Sequence, residues 1–130
     1  MFRIQRNVCL ASAEQHQHVR KVWHDHERIP LRFRCGGRCS TIRMTLLAFA
    51  KRVGNPHECV PIRDWRRYDL PLLDGAGKVS ASWYFWTPRG PVEVSDYWWN
   101  KEDELSVRAS DMRAMRWFLR WCKLQNIPTE

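Results

Sequence analysis

Between Ser110 and Leu124 the chain reads SDMRAMRWFLRWCKL, and no other stretch limits the possible folds so strongly. Wound at about 100° per residue, it brings Arg113, Arg116, Arg120 and Lys123 into one narrow stripe. Met112, Ala114, Met115, Trp117, Phe118, Leu119, Trp121, Cys122 and Leu124 fill the rest with apolar groups. That apolar arc spans roughly two thirds of the circumference, against about 100° for an ordinary surface helix. The stretch therefore predicts a central helix over 110–124, covered on more than one side and wet along its basic edge. Phe118 and Leu119 are expected to be buried on different sides. Trp117 and Trp121, facing away from Met115, are the alternative candidates for a dimer seam.

A helix of this kind needs a sheet or other helices to cover it, and the rest of the chain offers both. Residues 78–98 predict a Trp-rich hairpin. In its first strand Val79, Ala81, Trp83 and Phe85 share one face, and Ser80, Ser82, Tyr84 and Trp86 the other. Thr87-Pro88-Arg89-Gly90 is turn chemistry. On the return, Val92, Val94 and Trp98 continue the core face, with Glu93, Ser95 and Tyr97 expected outside. Asp96 interrupts the apolar face, which points to a bulge or strand end nearby.

Further strands are expected at Phe2–Leu10, at Ile29–Cys35, where Arg32 and Arg34 share a face, and around Glu58–Ile62. Ser12 with Gln15 three residues on forms a capping box for a surface helix from Ala13 to about Glu27. Ser40 or Thr41 is expected to cap a second helix that ends at Val53 before Gly54-Asn55-Pro56. Ile42, Leu46, Phe49 and Val53 would form its core face. The resulting order, β-α-β-α-(coil)-β-β-α, predicts a single small α+β domain over 1–130. Its antiparallel sheet would pack mainly one face against the C-terminal helix and further helices. At 130 residues such a domain buries a core without metals or disulfides.

The net charge is +8 and unevenly placed. Residues 1–68 carry 14 Lys and Arg against 5 Asp and Glu; residues 69–130 carry 8 against 9. The basic first half predicts an acidic partner: nucleic acid or a nucleoprotein complex, or alternatively an acidic protein surface. Arg dominates over Lys and makes forked contacts to phosphate and carboxylate. The candidate anion contacts are Arg28, Arg32, Arg34, Arg38, Ser40, Thr41, Arg43, Arg63, Arg66 and Arg67. Trp65, Tyr68, Tyr84 and Trp86 are the aromatic candidates that could stack on unpaired bases. Within this set, Arg34 to Thr41 spells a Gly-Gly turn followed by a helix start, a place where backbone N–H groups and the helix dipole favour an anion. Reversal of Arg113 or Arg116 is expected to matter less, because the second half carries no net positive charge.

Other chemistries have thinner support. The phosphate-loop spacing GxxxxGK[ST] is absent, as is Cys followed by Arg six residues later. Cys35, Cys39, His57 and Cys59 are residue types that zinc accepts, but their spacing is not that of a common zinc module. No cofactor is expected. His24, Asp25 and His26, or Cys35 and Cys39 as nucleophiles, are the residues a small enzyme would use, without a companion motif. Helix-turn-helix, RRM, KH and zinc-finger signatures are also lacking. The five cysteines, an odd number, and the missing secretory and membrane-spanning patterns predict a reduced, cytoplasmic protein that engages no membrane. A small binding protein, inhibitor or adaptor of the phage or mobile-element accessory type fits this composition.

Overall fold

The computed structural model describes residues 8–15, 17, 40–60, 79–97, 99–109 and 112–130. In chain order the elements are β1 (Cys9–Leu10), β2 (Ser40–Ile42), α1 (Leu46–Val53), β3 (Glu58–Cys59), β4 (Val79–Thr87), β5 (Gly90–Tyr97), β6 (Leu105–Ala109) and α2 (Met112–Leu124). The strands form one six-stranded antiparallel sheet in the order β1-β4-β5-β6-β2, with β3 pairing β4 along the edge that β1 also uses. Helices and an antiparallel sheet together make this an α+β fold, as the sequence predicts.

The hairpin forms for the reasons its sequence offers. Thr87 pairs with Gly90 across Pro88-Arg89, and the Thr87 hydroxyl donates to the Gly90 carbonyl at 2.8 Å. Gly90 takes φ 120°, a conformation glycine adopts at little cost. Near Asp96 the register shifts between Val79 and Ala81, which is the irregularity expected there. The buried Asp96 carboxylate accepts from the Ser80 hydroxyl.

One face of the sheet carries Leu10, Trp83, Phe85, Val92, Val94, Leu105, Val107 and Ile42, which pack with Phe49, Met115 and Phe118 of the helices. Phe49 meets the Trp83 ring edge-on at 4.9 Å, and Phe85 tilts against Phe118 at 4.9 Å and Trp121 at 5.3 Å. Aromatic pairs in these geometries add to plain area burial. Both helices thus lie on the same face.

Three expectations are corrected here. First, α2 is covered on one side only: Ala114, Met115, Phe118 and Cys122 are buried, Leu119 and Trp117 are half-buried, and Met112 and Leu124 are exposed. The buried arc is about 100°, the width of an ordinary surface helix. A wide apolar arc permits burial on two sides without requiring it. Trp121 packs on Phe85 and Phe118 inside the chain and is not a free dimer seam. Second, α1 does not start at Ser40 or Thr41. Those residues pair with Val107 and Ser106 of β6, and the N-cap is Thr45, whose hydroxyl accepts from the Ala48 N–H at 3.1 Å. Strand pairing with a central strand outcompeted a local capping signal, and Thr45 offered the same chemistry one turn later. Third, Glu93, Ser95 and Tyr97 are not outside: all three are buried.

Two other signals named by the sequence, the stop at Gly54 and the capping box at Ser12, hold. Gly54 ends α1 at φ 107°, with its N–H on the Ala50 carbonyl, and Lys51 and Arg52 sit at the negative end of the helix dipole. Ser12 and Gln15 form the reciprocal capping box, at 2.8 and 3.2 Å, and residues 13–15 and 17 are helical. The remainder of the expected 13–27 helix, the expected strand at 29–35, the whole segment 61–78 and Trp98 lie outside the described residues.

Candidate nucleic-acid interface

Helix α2 turns its wet face outward from the sheet, and every cation on it is exposed: Arg113, Arg116, Arg120 and Lys123. At 1.5 Å rise per residue the four span about 15 Å. No acidic residue occurs in α1 or α2, while Lys51 and Arg52 add two exposed cations on α1. Arg52 also donates to the Gln125 carbonyl and so ties the end of α1 to the end of α2. Among the described residues, Arg116, Arg120 and Lys123 make no hydrogen bond or ion pair. Trp117, half-buried, flanks the stripe on one side.

The described acids of the second half lie elsewhere. Glu93 and Asp96 are buried in the sheet, Glu102, Asp103 and Glu104 belong to the β5–β6 turn, and Glu130 is engaged by Arg43. The half-chain therefore has almost no net charge, yet the exposed charged side chains within α1 and α2 are all cations. Potential follows the spatial placement of charge and not its sum along the chain, so exposed Arg113 and Arg116 join the candidate contacts.

The other candidate residues are placed unevenly. Ser40 and Thr41 lie in β2, where the Thr41 side chain is fully buried, so they do not offer hydroxyls at a helix N-terminus. Arg43 is spent on two carboxylates, Glu104 at 3.3 Å and Glu130 at 2.7 Å. Tyr84 is buried and donates its hydroxyl to Glu58 at 2.8 Å, so its ring offers no open stacking face; Trp86 is half-buried beside it. Arg28, Arg32, Arg34, Arg38, Arg63, Trp65, Arg66, Arg67 and Tyr68 lie outside the described residues, as do Cys35, Cys39, His24, Asp25 and His26.

For a metal, only His57 and Cys59 of the proposed four are described. The His57 Nδ1 accepts the Tyr84 backbone N–H at 3.1 Å, which makes Nε2 the protonated nitrogen that donates to the Ala11 carbonyl at 2.7 Å. Both ring nitrogens are thus occupied in tying β4 to the chain after β1. Among the described residues no group of three potential ligands converges. Burial raises the thiols of Cys59 and Cys122, the latter to about 12, which disfavours the thiolate that a nucleophile or metal ligand needs.

What sequence reasoning missed is the polar second face of the sheet. A single Glu93 oxygen, Oε1, receives the Arg108 Nη2 at 2.8 Å, the Ser95 hydroxyl at 2.9 Å and the Tyr97 hydroxyl at 3.3 Å. With its own hydrogen given to Glu93, Ser95 Oγ accepts from the Ser82 hydroxyl at 2.8 Å, and the Ser106 hydroxyl donates to Asn100 at 3.0 Å. Burial alone would lower the Arg108 pKa, but the adjacent Glu93 charge, aided by Tyr97 and Tyr84, outweighs it and leaves the guanidinium above its ordinary value. The signal available in advance was the alternation of Glu93, Ser95 and Tyr97 with valines. It fixes the shared face but not whether water reaches it.

No family model, no characterised protein and no solved structure matches this chain. Among the described residues no helix is long and apolar enough to cross a membrane.

Proposed function

We propose that this protein is a non-enzymatic binder of nucleic acid or a nucleoprotein complex, and that the exposed basic face of α2 belongs to the contact surface. The observation that carries this reading is the stripe Arg113–Arg116–Arg120–Lys123 on a helical layer that holds no acidic residue. Phosphate contacts position a protein without reading sequence, and Arg and Lys are the residues that make them. Arg34 and Arg38 of the basic first half remain candidate contacts in their own right.

Binding through four such contacts predicts a log–log salt slope of about −3 on single strands and about −3.6 on duplex. Arg113→Ala with Arg116→Ala removes two contacts and lowers the slope by about 1.4 on single strands, for all sequences alike. Salt titration of labelled oligonucleotides measures this directly, with Arg34→Ala/Arg38→Ala as a second pair. No binding by wild type at ~50 mM salt, or an unchanged slope in the α2 pair, defeats the reading.

A second reading has one observation of its own. Leu47 on α1 and Met112 on α2 are 54% and 53% exposed, and Trp117 is only half-covered. Apolar and Trp groups among arginines are typical of protein interfaces, which favours an inhibitor or adaptor contacting an acidic protein. Recovery of one acidic protein in affinity purification, unchanged by nuclease, supports it over the first.

A further inference from the structure

Behind α2 the chain turns back sharply and builds one wall of a groove beside the stripe. Asn126 takes the left-handed conformation at φ 58°, and its N–H and that of Ile127 donate to the Lys123 and Cys122 carbonyls at 3.1 and 2.8 Å. This C-cap satisfies the last turn of the helix. Ile127 is buried in the core. Residues 128–130 then lie along β2, with the Arg43 N–H on the Pro128 carbonyl at 2.9 Å and the Glu130 N–H on the Thr41 carbonyl at 3.0 Å. The wall is therefore held from both ends.

The groove measures about 570 Å³. Its lining has an apolar part, Leu119, Ile127 and Pro128, termed the floor, and a polar part, Arg120, Lys123, Asn126 and Thr129, termed the rim. Among the described residues no carboxylate lines it. The next acid along the chain, Glu130, is held by Arg43 at 2.7 Å. The dipole of α2 places about half a negative charge at this end, which the two full positive charges of the rim outweigh. Its size falls in the range of small-ligand sites, about 300–1,000 Å³.

We infer that this groove holds one unstacked nucleotide of a single strand, its base and sugar on the apolar floor and its phosphate against Arg120 and Lys123. The inference rests on the nucleic-acid reading above and adds strand selectivity to it. A single strand can splay a base onto the floor while its neighbouring phosphates follow Arg116 and Arg113, at steps of about 4.5–6 Å along the helix. A duplex keeps its bases paired and offers the groove only its backbone. An acidic peptide matches the rim but has no flat apolar group attached to its charge to fill the floor.

The test is amide NMR on the whole protein, titrated in turn with inorganic phosphate, thymidine monophosphate, a dT 12-mer, a duplex of equal length and a polyglutamate peptide. The monophosphate and the 12-mer are expected to shift the Lys123, Asn126 and Ile127 amides, with phosphate alone about tenfold weaker. The 12-mer should bind about tenfold more tightly than the duplex at equal salt, the order expected for one added base contact. Lys123→Glu, at an exposed position, should reduce 12-mer affinity about tenfold, and Leu119→Glu should remove the strand preference. Equal binding of phosphate and monophosphate overturns the inference in favour of a plain anion site. A 12-mer that binds through Arg113 and Arg116 without moving the groove amides also overturns it and leaves the proposed function standing. Polyglutamate occupying the groove where no nucleotide binds overturns both.

Discussion

On the sheet face beneath the helices, Trp83, Phe85, Val92, Val94, Leu105 and Val107 are each at most 1% exposed; on the opposite face, Ser82, Glu93, Ser95 and Ser106 are at most 6% exposed. Burial is nearly the same on the two sides and the chemistry is opposite. The apolar side is held by non-directional packing, which scales with the area removed from water. The polar side holds only if every donor finds an acceptor, because a dry polar group left alone costs about 1–3 kcal/mol. The first side therefore tolerates a change of shape better than a change of polarity, and the second is governed by pairing.

The largest effect should come from the apolar side. Phe118→Ala removes a fully buried ring that contacts Phe85 and Trp121, and about 3–5 kcal/mol of stability is expected to go with it. Leu119→Ala, at a half-buried position one residue on, should cost about 1–2 kcal/mol. Denaturant melts of the two variants compare directly; equal losses would restore the picture of a helix covered on both sides.

The polar side breaks in a different way. Arg108→Met leaves the Glu93 carboxylate buried with only hydroxyl donors, and about 2–3 kcal/mol should be lost, less than for a fully buried pair because the Arg108 side chain is 33% exposed. Adding Glu93→Leu should recover most of that loss, since removing both partners leaves no unpaired charge. A double variant no more stable than Arg108→Met would show that the pair acts through something other than mutual neutralisation.

The smallest effect runs in the stabilising direction. The Thr41 hydroxyl is buried and finds no hydrogen-bond partner among the described residues. Thr41→Val keeps its shape and its β-branched fit to a strand, so about 1 kcal/mol should be gained. A loss of stability in thermal melts would mean that the hydroxyl is satisfied in solution.

Much of this architecture was written locally. The hairpin turn at Thr87–Gly90, the α1 stop at Gly54, the Ser12–Gln15 capping box and the register disturbance near Asp96 each depend on groups a few residues apart or on simple alternation. The stripe on α2 was equally legible, since helical periodicity places Arg113, Arg116, Arg120 and Lys123 together whatever the helix packs against.

Three things were decided only by the tertiary fold. Ser40 and Thr41 carried a cap signal worth about 1 kcal/mol, and pairing with β6 overrode it. Which arc of α2 would be covered, and hence why Leu119 and Met112 stay partly or largely wet, depended on the one sheet face it met. Where Glu93, Asp96 and Glu130 came to rest, the first two buried in the sheet and the third on Arg43, was likewise settled by long-range pairing, and charges in three dimensions add by distance and not by position in the chain. Local pattern determined the elements and their faces; long-range pairing determined which faces became dry and which cations stayed exposed.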